Sequence, residues 1–127
     1  MPFEIGWRTP GVLQFDFSGD VTGLELVDCI TKSEQFLAET VNSPVCVWVA
    51  VNNVRKIPGN VFQVLLKTGG LQNVPRGLIV IGATSYLIMV VRLAALTFWG
   101  LDFKPIFVSN NEEGQSALRE MLRAATY

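Results

Sequence analysis

The sequence of 127 residues contains no histidine, only two cysteines and little charge. Histidine is the commonest general base and a frequent metal ligand, so its absence excludes Ser–His and Cys–His catalytic dyads and imidazole metal sites. Charged residues make up 17% of the chain, with ten basic and eleven acidic side chains and a net charge of −1. Proteins that bind a nucleic-acid backbone usually carry more basic than acidic residues, so we expect no nucleic-acid partner.

The remaining composition predicts one folded domain over residues 1–127. Half of the residues are hydrophobic, which gives the chain ample apolar surface to bury. Residues 1–7 lack the basic and apolar regions of a secretory signal, so the expected location is cytoplasmic. In that reducing compartment Cys29 and Cys46 are expected to be buried free thiols. Two cysteines without histidine do not complete a usual four-ligand zinc site, and we expect neither a metal nor a cofactor.

Strand and helix signals alternate along the chain. Alternating apolar and polar residues at 3–8 and 11–17 flank Pro10-Gly11 and predict an antiparallel hairpin. Later strands are predicted from the apolar runs 45–51, 78–81 and 105–108, the first of them central in a parallel sheet. Helices are predicted over 22–41, 61–68 and from 84 or 85 to 99, with a last one after 109.

The predicted order is therefore β-β-α-β-α-β-α-β-α. A capping box formed by Thr22 and Glu25 marks the start of the first helix. Strands that alternate with helices form parallel sheets with right-handed crossovers. The expected fold class is α/β, with a mostly parallel central sheet and helices packed against it.

This order and several segments resemble the STAS domain, a family named for sulfate transporters and anti-sigma factor antagonists. Residues 50–57 match the end of a family strand and its small-polar-hydrophobic connection, and Phe98-Trp99-Gly100-Leu101 matches the end of the family's third helix. Residues 106–118 match the closing strand and the start of the last helix. The resemblance covers nearly the whole chain. It implies a non-enzymatic regulatory or scaffolding domain that binds a regulatory protein.

The sequence departs from the family at the regulatory switch. Anti-sigma factor antagonists place an Asp-Ser-Ser/Thr-Gly segment at the start of the second helix, where a kinase partner phosphorylates a serine. The matching segment here is Pro58-Gly59-Asn60-Val61, with asparagine at the phosphorylatable position and proline at the preceding acid. The resemblance therefore implies an interaction domain without the serine switch.

Polar residues cluster where the central strand is predicted to end and the next helix to begin. Ligands of open α/β sheets bind at this end of the strands, and a helix N-terminus beside two cations could hold an anion. A solvated loop with turn-forming asparagines is the simpler explanation. The residues of this candidate partner or anion loop are Asn52, Asn53, Arg55, Lys56, Gly59 and Asn60.

The stretch from Leu87 to Leu101 is unusual because Arg92 is its only charge. It falls short of the ~20 apolar residues that span a bilayer and carries a central arginine, so we expect no membrane span. Helical spacing predicts one face buried in the core, made of Leu87, Val91, Ala94, Phe98 and Leu101. The opposite face is predicted to carry Ile88, Met89, Arg92, Leu96 and Trp99.

An apolar face that points outward favours an interface over exposure to water. The favoured hypothesis is a homodimer in which Arg92 pairs across a two-fold axis. Contact with a lipid or a membrane surface, and internal cover by the terminal helix or a loop, are the alternatives. The same apolar helix suggests a different function, that of a carrier or sensor of a small apolar ligand or lipid.

Overall fold

In a computed structural model, described over residues 3–9, 11–38, 46–68 and 76–125, the chain forms five strands and four helices. The strands are β1 (Phe3–Thr9), β2 (Val12–Asp20), β3 (Cys46–Lys56), β4 (Gly77–Ile81) and β5 (Ile106–Val108). The helices are α1 (Gly23–Ala38), α2 (Val61–Thr68), α3 (Ser85–Trp99) and α4 (Asn111–Ala125). The predicted element order is confirmed. The predicted end of the first helix, near residue 41, lies outside the described residues.

The strands form one sheet in the order β1-β2-β3-β4-β5. β1 pairs antiparallel with β2, and every other neighbouring pair is parallel. The hairpin register places Ile5 opposite Phe15 and Trp7 opposite Leu13, so apolar side chains share one face. The α/β class, the hairpin and the mostly parallel sheet are thus confirmed.

Helices cover both faces of the sheet. α1 and α3 pack on the face that carries Leu13 and Val47. α4 packs on the opposite face, against Trp48 and Ile79. Because the parallel strands advance in one direction across the sheet, three right-handed crossovers place α1, α2 and α3 on the same side.

β3 is the central strand, as its apolar run predicts. Val47 and Trp48 point to opposite faces, and each is at most 2% exposed. The strand continues beyond the predicted run to Lys56, because β2 extends beside it and pairs Ser18 with Asn53. The prediction of a loop at residues 52–56 was therefore wrong, since these residues belong to the strand.

Two helix starts confirm the predicted caps. The Thr22 backbone N–H donates to Glu25 Oε1 at 3.0 Å, and the Glu25 N–H donates to Thr22 Oγ1 at 3.2 Å. Thr84 caps α3, where its Oγ1 accepts from the Leu87 N–H at 3.3 Å. These bonds satisfy backbone donors that have no partner within the helix.

Cys29 and Cys46 are buried free thiols, as predicted. Cys29, on α1, packs on the face of the sheet that carries Val47, whereas Cys46 packs with Trp48 on the other face. The sheet therefore separates the two sulfur atoms. Burial raises the pKa of both thiols from 9.0 to about 12.

We expect neither thiol to react while the protein is folded. The thiolate is the nucleophile, and the raised pKa lowers the thiolate fraction at pH 8 about a thousandfold. Iodoacetamide at pH 8 should modify Cys29 and Cys46 only after urea unfolds the chain, as read from the intact mass. Rapid modification of either residue in the folded protein would contradict their burial.

The raised pKa of the two thiols also determines how the free energy of unfolding depends on pH. Above pH 9 the unfolded chain loses its thiol protons before the folded chain does, so the free energy of unfolding falls as the pH rises towards 12. Each thiol contributes a slope of at most about 1.4 kcal/mol per pH unit in this window and none below it. Urea titrations of Cys29→Ala should show a smaller decline than the wild-type protein.

Candidate functional site

The outward side of α3 carries a row of large apolar side chains exposed to solvent. Tyr86, Met89, Leu93 and Leu96 are exposed by 38%, 52%, 42% and 46%. They lie three, four and three residues apart, the heptad spacing that aligns side chains in one stripe along a helix. We call these four residues the α3 outer face.

The predicted outward set overlaps this face only in part. Met89 and Leu96 belong to it, whereas Ile88 and Trp99 are half-buried at its edge. The Trp99 ring packs on Phe103, with 4.7 Å between ring centroids. Trp99 also lines the core side of α3, because it lies four residues after the buried Ala95.

Two residues differ from their predicted positions relative to the core. Leu93 is exposed although the predicted set omits it, and Leu101 is 83% exposed although helical spacing predicts its burial. α3 ends at Trp99, and Gly100 follows with a φ of 97° that turns the chain out of helical geometry. The prediction for Leu101 was wrong because the spacing rule was extended past the end of the helix.

Arg92 is exposed beside the α3 outer face. Its guanidinium lies 5.3 Å from the centroid of the Phe107 ring, a cation–π contact that holds it towards β5. Arg92 is the only charged residue between positions 77 and 101. The α3 outer face therefore has one flanking cation and no acidic residue on its own helix.

The second candidate region lies where β3 ends. There the carboxylate of Asp20 holds the side chain of Arg55. Arg55 donates two hydrogen bonds to Asp20, from Nε to Oδ1 at 2.9 Å and from Nη2 to Oδ2 at 3.1 Å. These bonds and the charge of Arg55 hold the pKa of Asp20 below its ordinary value. The carboxylate of Asp20 occupies the guanidinium fork that an anion would need.

The rest of this region joins β3 to the start of α2. Asn52, Asn53 and Lys56 are exposed on the strand, and Asn60 stands immediately before α2, where its carbonyl accepts from the Val64 N–H at 3.0 Å. Asn60 thus occupies the helix start to which the family resemblance assigns the phosphorylatable residue.

Tyr86 connects the two candidate regions. Its hydroxyl donates to the Gly59 carbonyl oxygen at 2.7 Å, while its ring belongs to the α3 outer face. The hydrogen bond of Tyr86 has no local sequence signal, because it joins α3 to a turn that is distant in sequence. This hydrogen bond therefore joins one end of the α3 outer face to the turn that precedes α2.

Within residues 3–9, 11–38, 46–68 and 76–125, no three metal-ligating side chains are grouped so that they could hold a metal ion. None of the described helices combines the length and apolar character needed to cross a membrane.

Comparison with known proteins identifies the fold. No family model matches the sequence, and no curated protein matches it. A crystal structure of an uncharacterized DUF3478-family protein from Shewanella loihica PV-4, which has a SpoIIAA-like fold, matches with a TM-score of 0.64. The match covers 91% of this chain and 93% of that chain.

The present chain has a SpoIIAA-like fold. The SpoIIAA-like fold is STAS-like, so the match confirms the resemblance at the level of architecture. The two sequences are 17% identical, and at that distance the match establishes the fold alone.

Proposed function

We propose that this chain is a non-enzymatic interaction domain that forms a homodimer through the α3 outer face. The observation that carries the proposal is the row of four large apolar side chains, each exposed by 38–52%. A contiguous apolar patch on a soluble domain marks an interaction surface. Tyr and Met are also enriched at interfaces relative to other surfaces.

The spacing of the row favours a helix as its partner. Apolar side chains in heptad spacing insert between those of a second helix with the same spacing. In an antiparallel two-fold pair centred between Met89 and Leu93, each Met89 opposes Leu93 of the second copy. Each Tyr86 then opposes Leu96 of the second copy. A two-fold interface needs this self-complementarity, which favours a second copy of the chain as the occupant.

The surface beside the row offers space for a packed partner. One cleft is bounded by Ile88 and Leu93, and another by Leu96 and Leu101. Arg92 borders both clefts, and arginine is a common interface residue. Side chains of a second helix would fill these clefts without burying an acidic group of α3.

Three features support a regulatory or scaffolding role rather than catalysis. The sequence has no histidine, burial keeps both thiols protonated, and Asp20 is paired with Arg55. A role like that of anti-sigma factor antagonists fits the SpoIIAA-like fold of the structural neighbour. Asn60 offers no hydroxyl for phosphorylation, so partner binding would proceed without a serine switch.

Two free thiols agree with a cytoplasmic location.

The test is the absolute molar mass by light scattering after size exclusion, over a range of protein concentrations. We expect the wild-type protein to be a dimer and the double variant Met89→Glu, Leu93→Glu to be a monomer. Burial of an unpaired carboxylate in an apolar interface is costly, so the dissociation constant should rise more than about a hundredfold.

Leu24→Glu provides the matched control. Leu24 lies in the first turn of α1 and is 83% exposed, so the variant replaces an exposed leucine by glutamate on another helix. It should remain a dimer. A wild-type monomer at every concentration, or equal dissociation by Leu24→Glu, would refute the assigned interface.

A further inference from the structure

A cavity of about 180 Å³ lies between the sheet and helices α1 and α3. Its floor is formed by Phe15, Val47 and Leu78 of three adjacent strands. Its walls include Ile30 of α1 and Ala94 of α3. α2 contacts both α1 and α3, so the two wall helices are braced against one another at one end.

The cavity offers almost no polar partner to an occupant. Among the described lining residues none is charged, and only Cys29, Ser33 and Trp99 carry polar side-chain atoms. Ser33 Oγ already donates to the Ile30 carbonyl at 2.6 Å. Burial raises the pKa of Cys29, which keeps it a neutral thiol. A buried water needs two to four polar partners, and this lining does not supply them.

Small side chains on α3 create the space. Ala94 and Ala95 follow one another on the side of the helix that lines the cavity, between the larger Val91 and Phe98. The space is partly open to solvent, so an apolar molecule that enters it would remove apolar lining from water.

We propose that this cavity binds a small neutral apolar molecule, of the size of benzene or slightly larger. A dry cavity of about 150 Å³ lined by aliphatic and aromatic side chains takes up benzene. The present cavity has a similar volume and a similar lining. Its lack of charged groups disfavours carboxylates, phosphates and ammonium ions inside it.

Toluene is the probe for the test. A ligand that binds only the folded state raises the unfolding temperature by mass action. We expect toluene to bind the wild-type protein with a dissociation constant of about 1 mM or tighter. The Ala94→Leu variant fills the cavity, so its affinity for toluene should be at least tenfold weaker. Ser116→Leu adds similar bulk at an exposed position of α4 and should keep the wild-type response.

A second measurement does not depend on any variant. Toluene should shift the NMR amide resonances of residues around the cavity, including Cys29, Ala94 and Ala95. No thermal shift in the wild-type protein, equal shifts in wild type and Ala94→Leu, or resonance changes confined to other regions would each overturn the proposal. The Met89→Glu, Leu93→Glu variant should bind toluene normally, since those side chains lie on the other side of α3.

Discussion

Replacement of Trp48 by alanine should lower the free energy of unfolding by about 3–5 kcal/mol, the range measured for large aromatic residues in cores. Trp48 is 1% exposed and lies between β3 and α4. Gly114 of α4 faces its ring so closely that an added Cβ would stand 2.8 Å from Trp48 Cη2. At this point the helix therefore has no side chain that could move in to fill the space left by the indole.

The expected loss is a large share of the ~5–15 kcal/mol that stabilises a typical domain. Urea denaturation followed by far-UV circular dichroism measures it without relying on tryptophan fluorescence. Trp48→Phe keeps a ring in the same layer and should lose clearly less. An unfolding free energy for Trp48→Ala within about 1 kcal/mol of the wild-type value would contradict this account.

A second control limits how much of this loss can come from a cation–π contact of Trp48. The Arg8 guanidinium lies 4.2 Å from the centroid of the Trp48 ring. Arg8 is exposed, so Arg8→Ala should lower the free energy of unfolding by only about 0.5–1 kcal/mol. Arg8 also donates to Gln14 Oε1 at 3.1 Å and to Gln115 Oε1 at 2.7 Å, so the loss in Arg8→Ala is an upper limit for the cation–π contribution to the Trp48→Ala effect.

The sequence predicts the architecture well wherever the signal is local. The apolar run around Val47 identifies the central strand because a strand covered on both faces needs no alternation. The capping box of Thr22 and Glu25 identifies the start of α1 because its hydrogen bonds join residues three apart. Such features need no knowledge of distant contacts.

Features that depend on contacts between residues distant in sequence were not predicted, or were predicted wrongly, from the sequence. The polar end of β3 is a strand because Asn53 pairs with Ser18, and Arg55 is neutralised by Asp20. Nothing local in residues 52–56 specifies that neighbour. Similarly, the role of Tyr86 depends on its hydrogen bond to Gly59, which joins α3 to the turn before α2.

The proposed binding cavity could not be predicted from the sequence pattern. Ala94 and Ala95 resemble ordinary core residues of an apolar helix. The space they border is seen only in the folded chain, where α1, α3 and three strands line it together.

A methyl group added at Gly82, directly after β4, should be strongly destabilising. Gly82 follows β4 at a φ of 76°, a backbone conformation that costs other residues about 1–2 kcal/mol. A Cβ on Gly82 would also overlap Asn52 Cβ and stand 2.7 Å from Asn52 Cα. Because a backbone atom cannot yield as a flexible side chain does, we expect Gly82→Ala to lose about 3 kcal/mol or more.

Gly19→Ala is the matched control for Gly82→Ala. Gly19 has a φ of 67°, but outside its two chain neighbours no heavy atom lies within 4 Å of the position that an added Cβ would take. Urea denaturation of Gly19→Ala should therefore report the backbone strain alone, and the difference between the two variants should report the contact with Asn52. Equal losses would mean that the close approach of Gly82 to β3 does not exist in solution.

Two variants of Asn52 distinguish its packing against Gly82 from any role of its exposed amide group. Asn52→Gly removes the Cβ that Gly82→Ala would strike, so the double variant should regain part of the stability lost by Gly82→Ala alone. Asn52→Ala keeps that Cβ and removes only the exposed amide. An effect of Asn52→Ala on partner or anion binding, with an unchanged free energy of unfolding, would therefore come from the amide rather than from the packing of β3 against Gly82.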